Sequence, residues 1–243
     1  MAIFAPFSYL QQKVVAEAPT PSNPPYYANL VRWYDAEDAG TSPSSTWQDL
    51  SGNVDGTVNT NVTFTTSGGL SYYDFAGTTG THPDNTITYG ANPFTGTTSH
   101  TIIGWLQPRA VRDAVWQFTG NNATRAKIVY RFLPGNAMRM EFQGGGATLS
   151  GLTYATNTWA QYAYSWGGTT AADVICYING TSSNISNTST LNLASNILMS
   201  GDQLNNPNQC YLGYMGVFLA YDFAMSSSQI AEVFEFYRGR YGV

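Results

Sequence analysis

The chain has 243 residues, only 10% of them charged, and a formal net charge of −5. An average soluble domain is about 25% charged, so solubility must rest on the abundant Ser, Thr, Asn and Gly side chains and backbones. The acidic balance speaks against nucleic acid as a partner, because phosphate binding draws its affinity from clustered Lys and Arg. No run approaches the roughly 20 apolar residues that a membrane-spanning helix needs, so membrane insertion is not expected.

Residues 1–28 read differently from the rest. MAIFAPFSYLQQKVV has no basic opening, is broken by Pro6 and leads to no clear cleavage site, so a cleaved secretion signal is not expected. Four prolines follow at positions 19, 21, 24 and 25, a composition that favours a stiff, extended chain. We read an N-terminal arm whose Phe4, Phe7, Tyr9 and Leu10 must dock on something to leave water.

From Leu30 onward short β-like runs alternate with turn signals. Strands are expected near Leu30–Asp35, Val62–Thr65, Tyr72–Phe75, Asn85–Tyr89, His100–Gln107 and Asp113–Thr119. Others are expected near Ala126–Phe132, Ala137–Gln143, Trp159–Trp166, Asp173–Ile178 and Tyr211–Tyr221. The Gly-rich GGGAT at 144–148 reads as a flexible turn, since it lacks the Lys-Ser/Thr ending of a phosphate-binding loop. In DVICYINGTSSN, Asn179 and Gly180 can take the positive φ angles of a type I′ turn, which predicts a hairpin. One helix is expected at the end, where Ser226 and Gln229 form a capping-box pattern before Ile230, Val233, Phe234 and Tyr237 at helical spacing. Many short strands with one helix imply an all-β, antiparallel double layer.

Several segments taken together resemble the concanavalin A-like lectin/glucanase group, in particular its laminin-G-like jelly-roll modules. They are LVRWYDAED, WQDLSGN (Trp47 to Asn53), YYDFAG, HTIIGWLQP, the pair NTWAQYAYSW and DVICYINGTSSN, and the closing YLGYMGVFLAYDFAMSSSQIAEVFEFYRGRYG. The resemblance covers residues 30–243. It implies an antiparallel jelly-roll sandwich over residues 29–243 with a short C-terminal helix, behind the arm of residues 1–28. The same ending behind such an arm resembles domains on the virions of tailed bacteriophages and large viruses.

Catalytic chemistry is poorly supported. Glycosidases need two carboxylates about 5 to 9 Å apart, and the acidic residues here are scattered, with Glu141 the one glutamate in a core strand. His82 and His100 belong to no nucleophile motif. The basic residues Arg109, Arg112, Arg125, Lys127, Arg131 and Arg139 read as solvated edges and loops rather than an anion site. Cys176 and Cys210 are either two packed thiols or one bridge. No cofactor is required. Laminin-G-like modules often bind calcium, for which Asp49, Asp84 and Asp202 are candidates, Asp49 having an Asx turn as its competing role.

Glycan binding would use aromatic faces and amide groups, with Trp116, Tyr130, Trp166, Tyr214 and Asn205 as candidates, although strand aromatics more often fill cores. The expected function is a non-enzymatic virion-surface protein, a capsid decoration or tail appendage assembled in the host cytoplasm. Residues 1–28 would hold other virion proteins or sister subunits, and host surface glycans are a candidate ligand. The alternatives are a free lectin-like protein and, behind it, a glycoside hydrolase using Glu141.

Overall fold

A computed structural model of the chain describes residues 23–40, 42–76, 85–109, 114–117, 128–142, 145–185, 189–193, 197–203 and 206–243. Its main layer is an eight-stranded sheet. In spatial order this sheet runs Thr181–Asn184, Val174–Ile178, Ala160–Trp166, His100–Pro108, Leu212–Tyr221, Leu70–Ala76 and Val62–Ser67, every pairing antiparallel. The eighth strand, Leu30–Asp35, shares the long strand Leu212–Tyr221 with Leu70–Ala76. The former pairs with its second half and the latter with its first.

Two four-stranded sheets complete the sandwich. One runs Gly145–Thr153, Ala137–Phe142, Ile128–Phe132, Ala114–Gln117, and the other Ile197–Ser200, Ile87–Ala91, Gly56–Val58, Thr46–Trp47. Rings from all three sheets meet in one core, where Tyr34, Trp47, Tyr73, Tyr89, Tyr130, Phe132, Tyr162, Tyr164, Trp166 and Phe218 are buried together. The antiparallel jelly-roll sandwich expected from the sequence is therefore the fold.

The outer face of the main sheet is half covered. Ile103, Trp105, Ala163, Tyr177, Val217, Leu219 and Tyr221 point away from the core and bury against Ile230, Val233, Tyr237 and Tyr241 of the terminal helix Ser227–Tyr241. Strands covered on both faces lose their polar alternation. Accordingly Ala160–Trp166 is buried at every position. The helix begins with the expected reciprocal capping box between Ser226 and Gln229 and stops at Gly242, whose φ of 69° closes the last turn.

Other local expectations resolve similarly. Asn179 (φ 47°) and Gly180 (φ 76°) turn the hairpin between Val174–Ile178 and Thr181–Asn184, and Asn179 Oδ1 also accepts the Gln161 N–H at 2.8 Å. The GGGAT reading is corrected: Gly145–Thr153 is a strand, held by antiparallel pairing with Ala137–Phe142. Phe4, Phe7, Tyr9 and Leu10 lie outside the described residues. The end of the expected arm is docked on the domain. Tyr26 Oη donates to Glu232 Oε2 at 2.6 Å, its ring meets Phe223 at 5.9 Å, and Pro25 O accepts from Tyr221 Oη at 3.1 Å.

Candidate functional site

The WQDLSGN loop turns out to be structural. The strand Leu30–Asp35 has a strand partner on one side, and this loop covers its other edge: Leu50 N–H donates to Trp33 O at 2.7 Å and Asn53 Nδ2 to Val31 O at 3.1 Å. Asp49 is 4% exposed and fully committed. Its Oδ1 accepts from Trp33 N and Ser51 N, both at 2.9 Å, and from Ser51 Oγ at 2.6 Å, while Oδ2 accepts from Val54 N at 3.0 Å. A carboxylate so engaged builds the loop and protects a sheet edge. Asp49→Ala should orphan one buried and two part-buried N–H groups and cost about 2–3 kcal/mol, read as a shift in denaturation midpoint. A cost below about 1 kcal/mol would contradict this role.

Asp84 lies outside the described residues, as does the side chain of Asp202. Among the described residues no group of three or more His, Cys, Asp or Glu side chains could hold a metal ion. Cys176 is a free, buried thiol, and burial pushes its pKa up to about 12. Glu141, the candidate acid of a hydrolase, is in an ion pair with Arg131 at 2.5 Å.

The glycan-binding candidates separate. Tyr130 and Trp166 have no exposed surface and sit in the sandwich core, so neither can offer a ring to a ligand from solvent. That corrects the expectation, and the cause is the competing tendency of strand aromatics to fill cores. Trp116 is placed only by its backbone, opposite Tyr130. Asn205 lies outside the described residues. Tyr214 is half-buried on the outer face of the main sheet, beyond the end of the helix.

Around Tyr214 the sheet assembles a platform that the sequence did not announce. Its ring lies 4.4 Å from that of Tyr72 and 6.4 Å from that of Trp159, and Tyr72 and Trp159 are 6.0 Å apart. All three rings are half-buried. Trp159 also meets Tyr241 at 4.8 Å, so the platform starts where the helix ends. In register Tyr214 lies between Asp74 on one neighbouring strand and Gln107 on the other, which puts all three on one face. Arg109 stacks over Tyr214, its guanidinium carbon 4.7 Å from the ring centroid, and its Nη2 donates to Asp74 Oδ1 at 2.5 Å and Phe75 O at 3.0 Å. Partial burial raises the Asp74 pKa, against the pull of Arg109.

Tyr72 and Trp159 were missed as ligand-facing residues. In YYDF, strict alternation puts Tyr72 and Asp74 opposite the buried pair Tyr73 and Phe75, so half of the signal was available. Two clefts elsewhere have, among the described residues, no aromatic ring in their lining on which a sugar could stack. One of about 660 Å³ is lined by Ser165, Asp173, Asn184 and Met225, and Asp173 is spent capping Thr169 and Thr170. The other, of about 410 Å³, is lined by small and polar residues including Gly40, Ser42, Gln48 and Asp55.

A family model described as the concanavalin A-like lectin/glucanases superfamily matches residues 78–231. No curated protein matches the sequence. Among solved structures, the chain is similar to domain 4 of AbnA, a GH43 extracellular arabinanase from Geobacillus stearothermophilus, in complex with arabinotriose. That pair is 16% identical with a TM-score of 0.61, over 84% of this chain and 98% of that one. The binding domain of Paraclostridial Mosquitocidal Protein 1 is 18% identical with a TM-score of 0.63, over 87% of this chain and 53% of that one. A Trypanosoma rangeli sialidase is 12% identical with a TM-score of 0.62, over 96% of this chain. The chain spans about half of the mosquitocidal binding domain and 36% of the sialidase. At these identities the likeness is one of fold.

Proposed function

The chain belongs to the concanavalin A-like lectin/glucanase superfamily, and from that premise we propose that it is a non-catalytic glycan-binding module. The observation that carries the reading is the Tyr72–Trp159–Tyr214 platform. Aromatic faces stack on the C–H faces of sugars, and a few polar groups beside them fix orientation. Asp74 and Gln107 are placed to do the second job. Among the described residues the platform's carboxylate, Asp74, is tied to Arg109, and the nearby Glu37 is held by the N–H and hydroxyl of Ser71, whereas glycoside hydrolysis needs two carboxylates free to act on the sugar. The similarity to an arabinanase domain in complex with arabinotriose, and to a toxin binding domain, supports a binding role over a catalytic one.

The test is a glycan array with the intact protein and with Trp159→Ala and Tyr214→Ala. Saturable, sugar-competed binding is expected, weakened about tenfold or more in each variant while the folded state is retained. Absence of any such signal would remove the reading.

The proposed setting is a virion surface, as a capsid decoration or tail appendage, with the arm as anchor. The apolar and proline-bearing composition of residues 1–28 supports it. Since Pro25 and Tyr26 pack on the domain, an informative truncation stops at residue 22. That variant should fold with an unchanged melting temperature and fail to join the particle; normal incorporation would eliminate the arm as anchor.

A further inference from the structure

The charges around the platform select among sugars, an inference that rests on the glycan-binding reading. Among the described residues Arg109 is the cation that touches these rings, and it is already engaged: its Nη2 serves Asp74 and Phe75 O, and its guanidinium carbon sits over the Tyr214 ring. Asp74 is half-buried, so drawing Arg109 away toward an anionic ligand would leave a partly desolvated carboxylate unpaired. A second carboxylate stands close by. Glu37 accepts from Ser71 N at 2.8 Å and Ser71 Oγ at 3.2 Å, at the residue next to Tyr72. Among the described residues Arg109 is paired with Asp74, and Arg240, beside the Tyr241 ring that meets Trp159, is paired with Asp35, so Glu37 is the charge left over and the local field opposes a carboxylate or phosphate on the ligand.

Hydroxyl recognition remains available. Asp74 Oδ1 is bound to Arg109, whereas its Oδ2 takes part in no hydrogen bond among the described residues and can accept from a sugar hydroxyl. Gln107, opposite Tyr214 in the register, supplies a donor and an acceptor on the same face. We infer that the ligand of the platform is an uncharged glycan, stacked on Tyr72 and Trp159 beside the Arg109-covered Tyr214 and oriented by Asp74 and Gln107, and that sialylated, uronic or phosphorylated sugars are rejected there.

The experiment titrates the intact protein with neutral arabino-, xylo- and galacto-oligosaccharides and, separately, with sialyllactose and oligogalacturonate, following tryptophan fluorescence and calorimetry. Binding of at least one neutral series is expected, favoured about tenfold or more over both acidic probes. Tyr214→Ala should weaken it about tenfold or more. Asp74→Asn, which frees Arg109, should raise affinity for an acidic probe in a salt-sensitive way. Sialyllactose or oligogalacturonate binding as tightly as the neutral sugars, and weakened in Tyr214→Ala, would overturn the charge selection while leaving the platform as a glycan site. No saturable binding of any probe, or binding indifferent to Tyr214→Ala, would overturn the platform reading and this inference with it.

Discussion

Replacing Arg240 by Met should cost the fold about 3–5 kcal/mol at neutral pH, the cost of stranding a buried charge. Asp35, at the end of the strand Leu30–Asp35, is 1% exposed, and both of its oxygens accept from Arg240 Nη1, at 2.6 and 2.7 Å. Oδ1 also accepts the Glu37 N–H at 3.1 Å. Burial raises the Asp35 pKa even against Arg240, so the native state holds this proton more tightly than the unfolded chain does. The sign follows. Ionised Asp35 weighs against folding once the pH passes its unfolded value, and losing Arg240 enlarges that weight. The deficit of Arg240→Met should therefore be greatest near pH 7 and shrink as the pH falls and Asp35 protonates. Adding Asp35→Asn should recover part of the loss, since the pair then has no charge to strand. Chemical denaturation at pH 7 and pH 5 checks both statements. A single variant within about 0.5 kcal/mol of the parent at pH 7 would show that solvent already relieves the pair.

The Asp35 pair also marks the boundary of what the sequence could disclose. LVRWYDAED was readable as a strand and the segment after Ser226 as a helix, but nothing local joins Asp35 to Arg240, positions 205 residues apart. Elements with their own backbone signals were legible: the Asn179–Gly180 hairpin, the capped helix and most strands of the main sheet. Gly145–Thr153 was not, because its glycines carry a turn signal and only pairing with Ala137–Phe142 makes it a strand. The binding platform was half legible for a related reason. Period-two alternation reveals that Tyr72 and Tyr73 face opposite ways but not which face the helix covers. Both faces of the main sheet bury rings, so Trp166 looked as suitable as Tyr214 until the layers were in place, and Tyr130, on a smaller sheet, faces the same core. Trp159, read as the lead residue of a strand, proved to be the link between the helix end and the platform.

A second large effect is expected on acidification, from His100. Its ring is fully buried, stacked on Phe94 at 4.4 Å with 8° between planes, and Tyr164 and Trp166 meet its plane nearly edge-on. Nδ1 lies 2.8 Å from Thr98 O, an acceptor that requires a proton on Nδ1, and Nε2 lies 2.8 Å from Tyr164 Oη, whose O–H can donate to it. That arrangement satisfies the neutral ring. Desolvation of the charged form lowers the pKa to about 4, from an ordinary value of 6.5. Between those values the unfolded chain binds the proton and the folded chain does not, so the stability held above pH 6.5 is lost as the pH falls toward 4. The loss approaches about 3 kcal/mol, on the scale of 1.36 kcal/mol for each pH unit separating the two values. His100→Gln should be less stable at pH 7 and show a flatter pH profile through this window. Denaturant midpoints at pH 7, 5.5 and 4.5 provide the comparison, and NMR titration of the ring provides a direct one. A ring that titrates near 6.5, or a variant whose profile parallels the parent's, would mean that protonated His100 is accommodated by movement of Phe94 or Tyr164.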